Sequence, residues 1–340
     1  MDSDSRRLWE NHWHPICHRS EVSRARDFVR LEIGDEECVA FNDGSNVVLF
    51  DNLCPHRGAR IFDGTHGNAR FLCQYHGWSY ANGRLFGGGG ETMLGTPLDR
   101  ICLNTYQTQW VGDWLFGSKH AAISLADQLG DAWPILEGVS LNCVERRDFN
   151  AYVFDADWRI AVENALEPYH IGAVHRNSLD RLGLEAGENQ YFGVNSLWRA
   201  PLGNLKLDRS LQRLSGLFDI KDQYRGYWSL FLFPFSMISS TYGYSYSLQN
   251  FLPGDRERCN FVSRLYASRL RSDVGPEAAQ PLIDGAALMN RQVFEEDHEI
   301  CRRVPFKAWR PEPPQAFAAS EEKVVHFRSS YRAAIATRGA

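Results

Sequence analysis

Long apolar runs are missing from this sequence. No stretch of its 340 residues approaches the roughly 20 consecutive apolar residues that cross a bilayer, so no membrane partner is expected. Positive charge is also scarce. Lys and Arg number 37 against 42 Asp and Glu, a net charge of −5, which leaves no electrostatic footprint for nucleic acid. There is no repeat and no low-complexity tract. The opening residues, MDSDSRRLWENHW, lack the apolar core of a secretory signal, so a cytoplasmic location is expected. Eight cysteines, at 17, 38, 54, 73, 102, 143, 259 and 301, are too dispersed for a disulfide framework and are expected as reduced thiols. Six of them read as small buried hydrophobes. Cys54 and Cys73 need another explanation.

What is present is an ordinary globular balance, 44% hydrophobic and 23% charged, on a chain long enough for one large domain or two ordinary ones. The segment CPHRGARIFDGTHGNARFLCQYHGWSY, Cys54 to Tyr80, carries two mixed pairs, Cys54-x-His56 and Cys73-x-x-His76. Short apolar runs broken by Gly-Asp, Asn-Asp-Gly and Asp-Asn predict β-strands on either side, with Ala81-Asn82-Gly83 as a hairpin turn. Each pair is then expected on a loop at one end of an antiparallel unit. The segment FGGGGETMLG breaks this pattern, and ICLNTYQTQWVGDWLFG closes the region near residue 118.

Soft ligands that converge in this way bind metal. A zinc finger groups Cys with Cys and His with His. Here each loop offers one of each, so two loops could give both thiolates to one iron and both imidazoles to another, the arrangement of a Rieske 2Fe-2S centre. A zinc ribbon, or four unrelated buried residues, is the bland alternative. The motif, C-x-H followed by C-x-x-H, resembles that of the Rieske family and is filled by Cys54, His56, Cys73 and His76. Gln74 stands where the family commonly has Pro.

A second segment, DWRIAVENALEPYHIGAVH from 157 to 175, has a rough helical period, with Asp155 or Asp157 able to cap its start. Glu167 and His170, three apart, would share a helical face. His175 would be rotated away, but Pro168 and Gly172 disturb the helix enough for both histidines to converge. A pair of His at this spacing is by itself more often structural than metal-binding. Two His and a carboxylate, however, make the facial triad of non-haem Fe(II) oxygenases.

Together the two segments resemble the catalytic alpha subunit of a Rieske non-haem iron oxygenase, over most of the chain. The resemblance implies an α+β fold: an N-terminal antiparallel β Rieske domain over 1–118, then a helix-grip (START-like) catalytic domain over 119–340, with an antiparallel sheet and helices. It implies a Rieske 2Fe-2S cluster and one mononuclear Fe(II), with electrons from NAD(P)H through a separate flavin or iron-sulfur reductase, with or without a ferredoxin. His170 and His175 would ligate the iron. The family's Glu-Asp pair matches Glu296-Asp297 in MNRQVFEEDHEICRRV, a helix with Val293, Ile300 and Val304 on its apolar side. Asp297 is then the third ligand, Glu296 the runner-up, and Glu295 and Glu299 are solvated; His298 is no ligand. Glu167, where many members have Asp, would bridge the iron of one subunit to the cluster of its neighbour, which implies a homotrimer. Asn164 would help shape the site or serve the fold.

The aromatic-rich stretch from Tyr227 to Tyr246, with Trp228, Phe231, Phe233, Phe235, Tyr242 and Tyr244, is expected to be mostly core, with some members lining a substrate cavity or a cage for a cationic ligand. The final residues, QAFAASEEKVVHFRSSYRAAIA, predict an amphipathic helix. The implied activity is that of a terminal oxygenase that hydroxylates or dealkylates a small organic substrate, in the short monooxygenase and demethylase branch. A Rieske electron carrier with a ligand-binding domain, and a structural zinc protein, are the competing readings.

Overall fold

The computed structural model describes residues 1–87, 101–184, 187–221, 224–255, 257–312 and 316–336. Most of FGGGGETMLG lies outside them. After α1 (Ser3–Asn11) and β1 (His14–His18), the chain forms β2 (Asp27–Ile33), β3 (Glu36–Asn42), β4 (Val47–Asp51) and β5 (His66–Asn68). These four pair in the order β4-β3-β2-β5. β6 (Ser79–Ala81) and β7 (Arg84–Phe86) make a small hairpin. Its two-residue loop has Asn82 at φ +49° and Gly83 at φ +74°, the left-handed pair that suits the twist of antiparallel strands. β8 (Gln107–Val111) and β9 (Trp114–Ser118) pair with β1 in a three-stranded sheet. Phe28, Phe41, Phe50, Phe62, Phe71 and Trp78 fill the space between the sheets and close around Cys54 and Cys73.

Helices α2 (Leu125–Leu129) and α3 (Ala132–Asn142) lead into the second half. There β10 (Cys143–Phe154) is followed by α4 (Trp158–Leu166) and α5 (Ile171–Val174). Next come β11 (Glu188–Phe192), β12 (Asn195–Ala200), α6 (Leu205–Ser215), β13 (Tyr227–Leu232), β14 (Ser236–Thr241), β15 (Ser245–Pro253) and β16 (Cys259–Ser268). α7 (Pro276–Cys301) and α8 (Glu322–Ala336) end the described chain. The strands form one antiparallel sheet, β10-β16-β15-β14-β13-β12-β11.

Both faces of this sheet are covered, so β13 to β15 are buried along almost their whole length although Ser, Asn and Gln alternate with their apolar residues. One face carries Trp228, Leu230, Ile238, Tyr246 and Leu248, packed with Trp114 and Leu136 of the preceding segment. The other carries Phe231, Met237, Phe251 and Phe261, packed with Trp158 of α4, Phe294 of α7 and Phe327 of α8. The second face holds the candidate iron site.

Three expectations change. The helix expected over 157–175 is two helices. Pro168 bars the residue before it from helical backbone, and Glu167 is extended at φ −116°, ψ 139°; it therefore leaves the helical face that its spacing from His170 predicts the two would share. Val304 lies beyond the end of α7 and is exposed rather than on its apolar side. Of the six cysteines expected to be buried, Cys102 is exposed. The aromatics of the 227–246 stretch are mostly core, as expected, and divide between the two faces, with Trp228 and Tyr246 turned away from the site. Among the described residues no helix is long and apolar enough to cross a membrane.

Candidate metal centres and cavity

The two Cys/His loops are built alike. In the first, Gly58 N–H donates to Cys54 O at 2.8 Å, and Cys54 N–H to Ala59 O at 2.8 Å. In the second, Gly77 N–H donates to Cys73 O at 2.9 Å, and Cys73 N–H to Trp78 O at 2.8 Å. Each turn closes on a glycine in the left-handed region, Gly58 at φ +71° and Gly77 at φ +69°, where a Cβ is disfavoured. The two turns face each other. Cys54 and Cys73 are buried at 2% and 1% exposure, while His56 and His76 are exposed with ring centroids 4.7 Å apart. Trp78 stacks under His56, 5.0 Å away and 1° from parallel. Burial pushes the Cys54 thiol up, and neighbouring Cys73 adds to the effect. Two soft thiols in a dry interior, with two imidazoles at the rim, suit a cluster whose irons differ in ligands.

The second centre starts from α4. Asp157 caps it, accepting from Arg159 N–H at 3.0 Å, a contact worth about 1 kcal/mol. After the break at Glu167, His170 opens α5 and His175 ends it. That short turn brings their Nε2 atoms to 3.1 Å. Asp297 arrives from α7, its Oδ1 3.0 Å from His175 Nε2 and 3.6 Å from His170 Nε2. Among the described residues this is the one group of three possible ligands whose atoms lie within 4.8 Å of one another.

The outer ring nitrogens explain what the inner ones want. His170 Nδ1 donates to Glu167 Oε1 at 2.7 Å, and His175 Nδ1 to Glu296 Oε2 at 2.7 Å. With those protons in place both Nε2 atoms present lone pairs, so two imidazoles and a carboxylate converge as acceptors on one point. A cation resolves this. Metal bonds of about 2.1 Å at right angles separate neighbouring ligand atoms by about 3.0 Å, close to the spacing found.

A proton can take the cation's place in the bare chain. Burial opposes a charged His170, but hydrogen bonds to Asp297 and Glu167 more than reverse this and push it up to about 9. Burial likewise works against ionised Asp297, yet the hydrogen bonds from both histidines bring it down to about 2.

Of the other expected residues, Asn164 Nδ2 donates to Asp297 Oδ1 at 2.6 Å and so touches the triad directly. Glu296 is in contact with His175 but not with the convergence point, and it also accepts from Ser178 and Gln292. His298 stacks on Phe154, and its Nε2 accepts from Asp155 N–H, a structural role. Glu295 and Glu299 are exposed.

Beside the triad lies a cavity walled by Phe154, Trp198, Tyr227, Phe251, Phe261 and Phe294. Of these, the sequence singles out only Tyr227. The others are scattered over β10, β12, β15, β16 and α7. The available signal was alternation, since Ser229, Ser239, Ser247 and Gln249 recur at the same parity as the cavity aromatics on paired strands.

Comparisons with known proteins follow the same division. Residues 12–92 match the model of the Rieske [2Fe-2S] domain, and residues 141–337 match that of the ring hydroxylating alpha subunit (catalytic domain). The 2-halobenzoate 1,2-dioxygenase large subunit of Burkholderia cepacia is 28% identical over 199 residues, 54% of this chain and 42% of that one. The large oxygenase component of the naphthalene 1,2-dioxygenase system of Pseudomonas fluorescens is 28% identical over 290 residues, 80% of this chain and 60% of that one. The match thus spans less than two thirds of these relatives' length. Among solved structures, the quaternary ammonium Rieske monooxygenase CntA with L-carnitine superposes with a TM-score of 0.74 at 17% identity, covering 97% of this chain and 90% of that one. Naphthalene 1,2-dioxygenase from Rhodococcus sp. with indole gives 0.74 at 18% identity, covering 99% and 92%.

Proposed function

Because the chain belongs to the ring-hydroxylating alpha subunits, with a Rieske [2Fe-2S] domain ahead of its catalytic domain, we propose that it is a terminal oxygenase that hydroxylates or oxidatively dealkylates a small organic molecule. One observation carries the reading: His170 Nε2, His175 Nε2 and Asp297 Oδ1 converge as three acceptors at the wall of an aromatic cavity. We assign the mononuclear iron to these three residues. The cluster is assigned to Cys54 and Cys73 on one iron and to His56 and His76 on the other. Bound there, the iron supplies dioxygen chemistry and the cluster supplies single electrons.

The chain's own part is positioning and exclusion. Glu167 and Glu296 hold the two imidazoles from behind, fixing tautomer and ring orientation. Asn164 holds the Asp297 carboxylate. The Phe and Trp walls keep water from the reacting face. The division into a Rieske domain over 1–118 and a catalytic domain over 119–340 suits the sheets, whose membership changes after β9.

Electrons would come from NAD(P)H through a reductase, with or without a ferredoxin. Leu53 and Tyr75 on the cluster loops are 55% and 56% exposed, and Tyr169, beside Glu167, is 68% exposed. Apolar surface at both places favours a covering subunit, as in a homotrimer where Glu167 links its iron site to the neighbour's cluster. Inter-subunit electron transfer is described for a quaternary ammonium Rieske monooxygenase that shares this fold. Eight cysteines free of disulfides suit a reducing cytoplasm.

Iron analysis tests the assignment. Purified full-length protein is expected to hold three irons and two acid-labile sulfides per chain, falling to two irons in His170→Ala. Labelled dioxygen should deliver its label to the hydroxylated product, or to the fragment released by dealkylation. Two irons in the unmutated protein would instead favour an electron carrier with a ligand-binding domain.

A further inference from the structure

Two chambers meet beside the triad. The inner one encloses about 80 Å³ against His170, His175 and Asp297. The outer one, open to solvent on one side, offers about 230 Å³ between the sheet and α7, along Leu207, Leu211, Leu265, Leu282 and Met289. Leu179, Tyr227, Ser239 and Asn290 border both and form a waist. A closed apolar cavity of about 150 Å³ takes one benzene ring. The inner chamber alone is therefore too small for a ring, and a molecule that reaches the triad leaves its body in the outer chamber.

The walls carry almost no charge. Among the described residues of the inner chamber, the side chains that ionise near neutral pH are Glu167, His170, His175 and Asp297, all engaged with one another. The outer chamber has no Lys, Arg, His, Asp or Glu among its described lining residues. A carboxylate or an ammonium entering it would leave water without a countercharge, which disfavours both.

The walls do carry hydrogen-bonding groups. Antiparallel pairing sets Ser229 opposite Ser239, Ser239 opposite Ser247 and Gln249 opposite Ser263, so these residues share one face. All five are buried. Part of the set is satisfied internally: Ser247 and Ser263 hydroxyls lie 3.2 Å apart, and Gln249 Nε2 donates to Ser239 Oγ at 3.3 Å. The Ser229 hydroxyl, the Gln249 carboxamide oxygen and the Asn290 carboxamide make no hydrogen bond among the described residues. These groups line the chambers, Asn290 only half-buried, and a ligand there can supply their partners.

Resting on the reading of the triad as an iron site, we propose that the substrate is an uncharged, elongated molecule with an apolar body of about two rings. Its leading end carries a hydroxyl or carbonyl that hydrogen-bonds at the waist, to Ser239 or Asn290, or just inside it, to Ser229 or Gln249. The apolar body occupies the outer chamber, beside Gly285 of α7. Gly285 is an exposed residue at the rim of this chamber, and a Cβ added there meets no atom within 4 Å, so a larger side chain narrows the chamber mouth without a clash.

A matched series tests this: biphenyl-4-ylmethanol, biphenyl-4-carboxylate, (biphenyl-4-ylmethyl)trimethylammonium and biphenyl. Equilibrium dialysis is run against the metal-free and the iron-loaded full chain. The alcohol is expected to bind at least tenfold more tightly than the other three in both forms. The double variant Ser239→Ala, Gln249→Leu should cut the alcohol's advantage over biphenyl, with Ser229 and Asn290 left to hold what remains. Gly285→Leu should weaken the alcohol at least tenfold while its melting temperature stays equal or rises, since helical glycine is itself unfavourable. Carboxylate or ammonium binding as tightly as the alcohol, an alcohol no better than biphenyl, no binding at all, or an indifferent Gly285→Leu would each overturn the proposal. The iron reading fails separately. If His170→Ala keeps as much iron as the parent while the alcohol preference holds in the metal-free chain, the site assignment falls and the ligand class stands.

Discussion

Glu296 Oε2 stands 2.7 Å from Nδ1 of His175, while Asp297, its neighbour on α7, reaches Nε2 of the same ring at 3.0 Å. Successive helical residues point about 100° apart, so the imidazole lies in the angle between two adjacent carboxylates. One helix therefore holds both edges of one ring. The edge that faces His170 is the metal side, and the edge that faces Glu296 sets the tautomer. Asp297→Ala is expected to lose the mononuclear iron outright. Glu296→Gln should keep it with affinity lowered about 10- to 100-fold, the usual penalty for losing a partner behind a ligand. Titration with chelator-buffered Fe(II) measures both, and the cluster absorbance should be unchanged. Iron retained in Asp297→Ala but lost in Glu296→Ala would make Glu296 the ligand.

The cluster loops allow a test that leaves the second centre alone. Cys54 and Cys73 are buried in one cluster with Phe62, Phe71 and Trp78, so each thiolate is held in place by the core around it. Cys54→Ser or Cys73→Ser should abolish the visible Rieske absorbance and its reduced-state paramagnetic signal, and leave one iron per chain. A normal Rieske spectrum in either variant would show that these thiolates are not the ligands.

The sequence exposes these loops because their geometry is local. Each Cys and the Gly four residues on close one turn, so the motif and its fold are one feature. The break before His170 is half legible. Pro168 announces that the helix fails, but only the extended backbone at Glu167 shows that its carboxylate swings to the back of His170. Of the cavity only Tyr227 is legible. Phe154, Trp198, Phe251, Phe261 and Phe294 come from five elements, and only the sheet order and the crossing of α7 make them neighbours. Cys102 and Val304 fail for a related reason, because an apolar side chain states a preference for burial and not the presence of a partner surface.

Lys323 offers a stability test remote from both centres. It lies on the buried face of α8 with Val324, Phe327 and Tyr331, and its Nζ has no hydrogen-bond partner among the described residues. Burial alone brings its pKa down to about 7, from 10.5 in the unfolded chain. The sign follows. Below about pH 7 the amine is charged in both states and its burial penalty is fully present. Between about 7 and 10.5 the unfolded chain binds more protons, so stability rises with pH until the penalty is gone. Lys323→Met should therefore raise stability, and with it the melting temperature, most at or below neutral pH, by on the order of a few kcal/mol, with the gain shrinking toward pH 10. Calorimetry at pH 6, 8 and 10 measures it. A pH-independent gain would mean that the amine is paired.

Glu167 carries the prediction about assembly. Its Oε1 accepts from His170 Nδ1 at 2.7 Å and its Oε2 from His170 N–H at 3.1 Å, so it belongs to its own chain's iron site. If it also reaches the cluster of a neighbouring subunit, Glu167→Gln should load both metals normally yet greatly slow reoxidation of the reduced cluster with substrate and oxygen present. Stopped-flow absorbance follows that step. Mixed assemblies then locate the transfer. A Glu167→Gln chain and a His170→Ala chain each damage the iron side, so neither can supply an intact acid and an intact iron site together, and mixing should restore nothing. A Cys54→Ser chain keeps its iron site, and a His170→Ala chain keeps its cluster. Co-refolded and purified on two tags, that mixture should recover measurable turnover, because a whole iron site in one subunit sits beside a whole cluster in the next. A co-assembled mixture without activity would place the transfer within one chain and leave Glu167 a purely local orienting group.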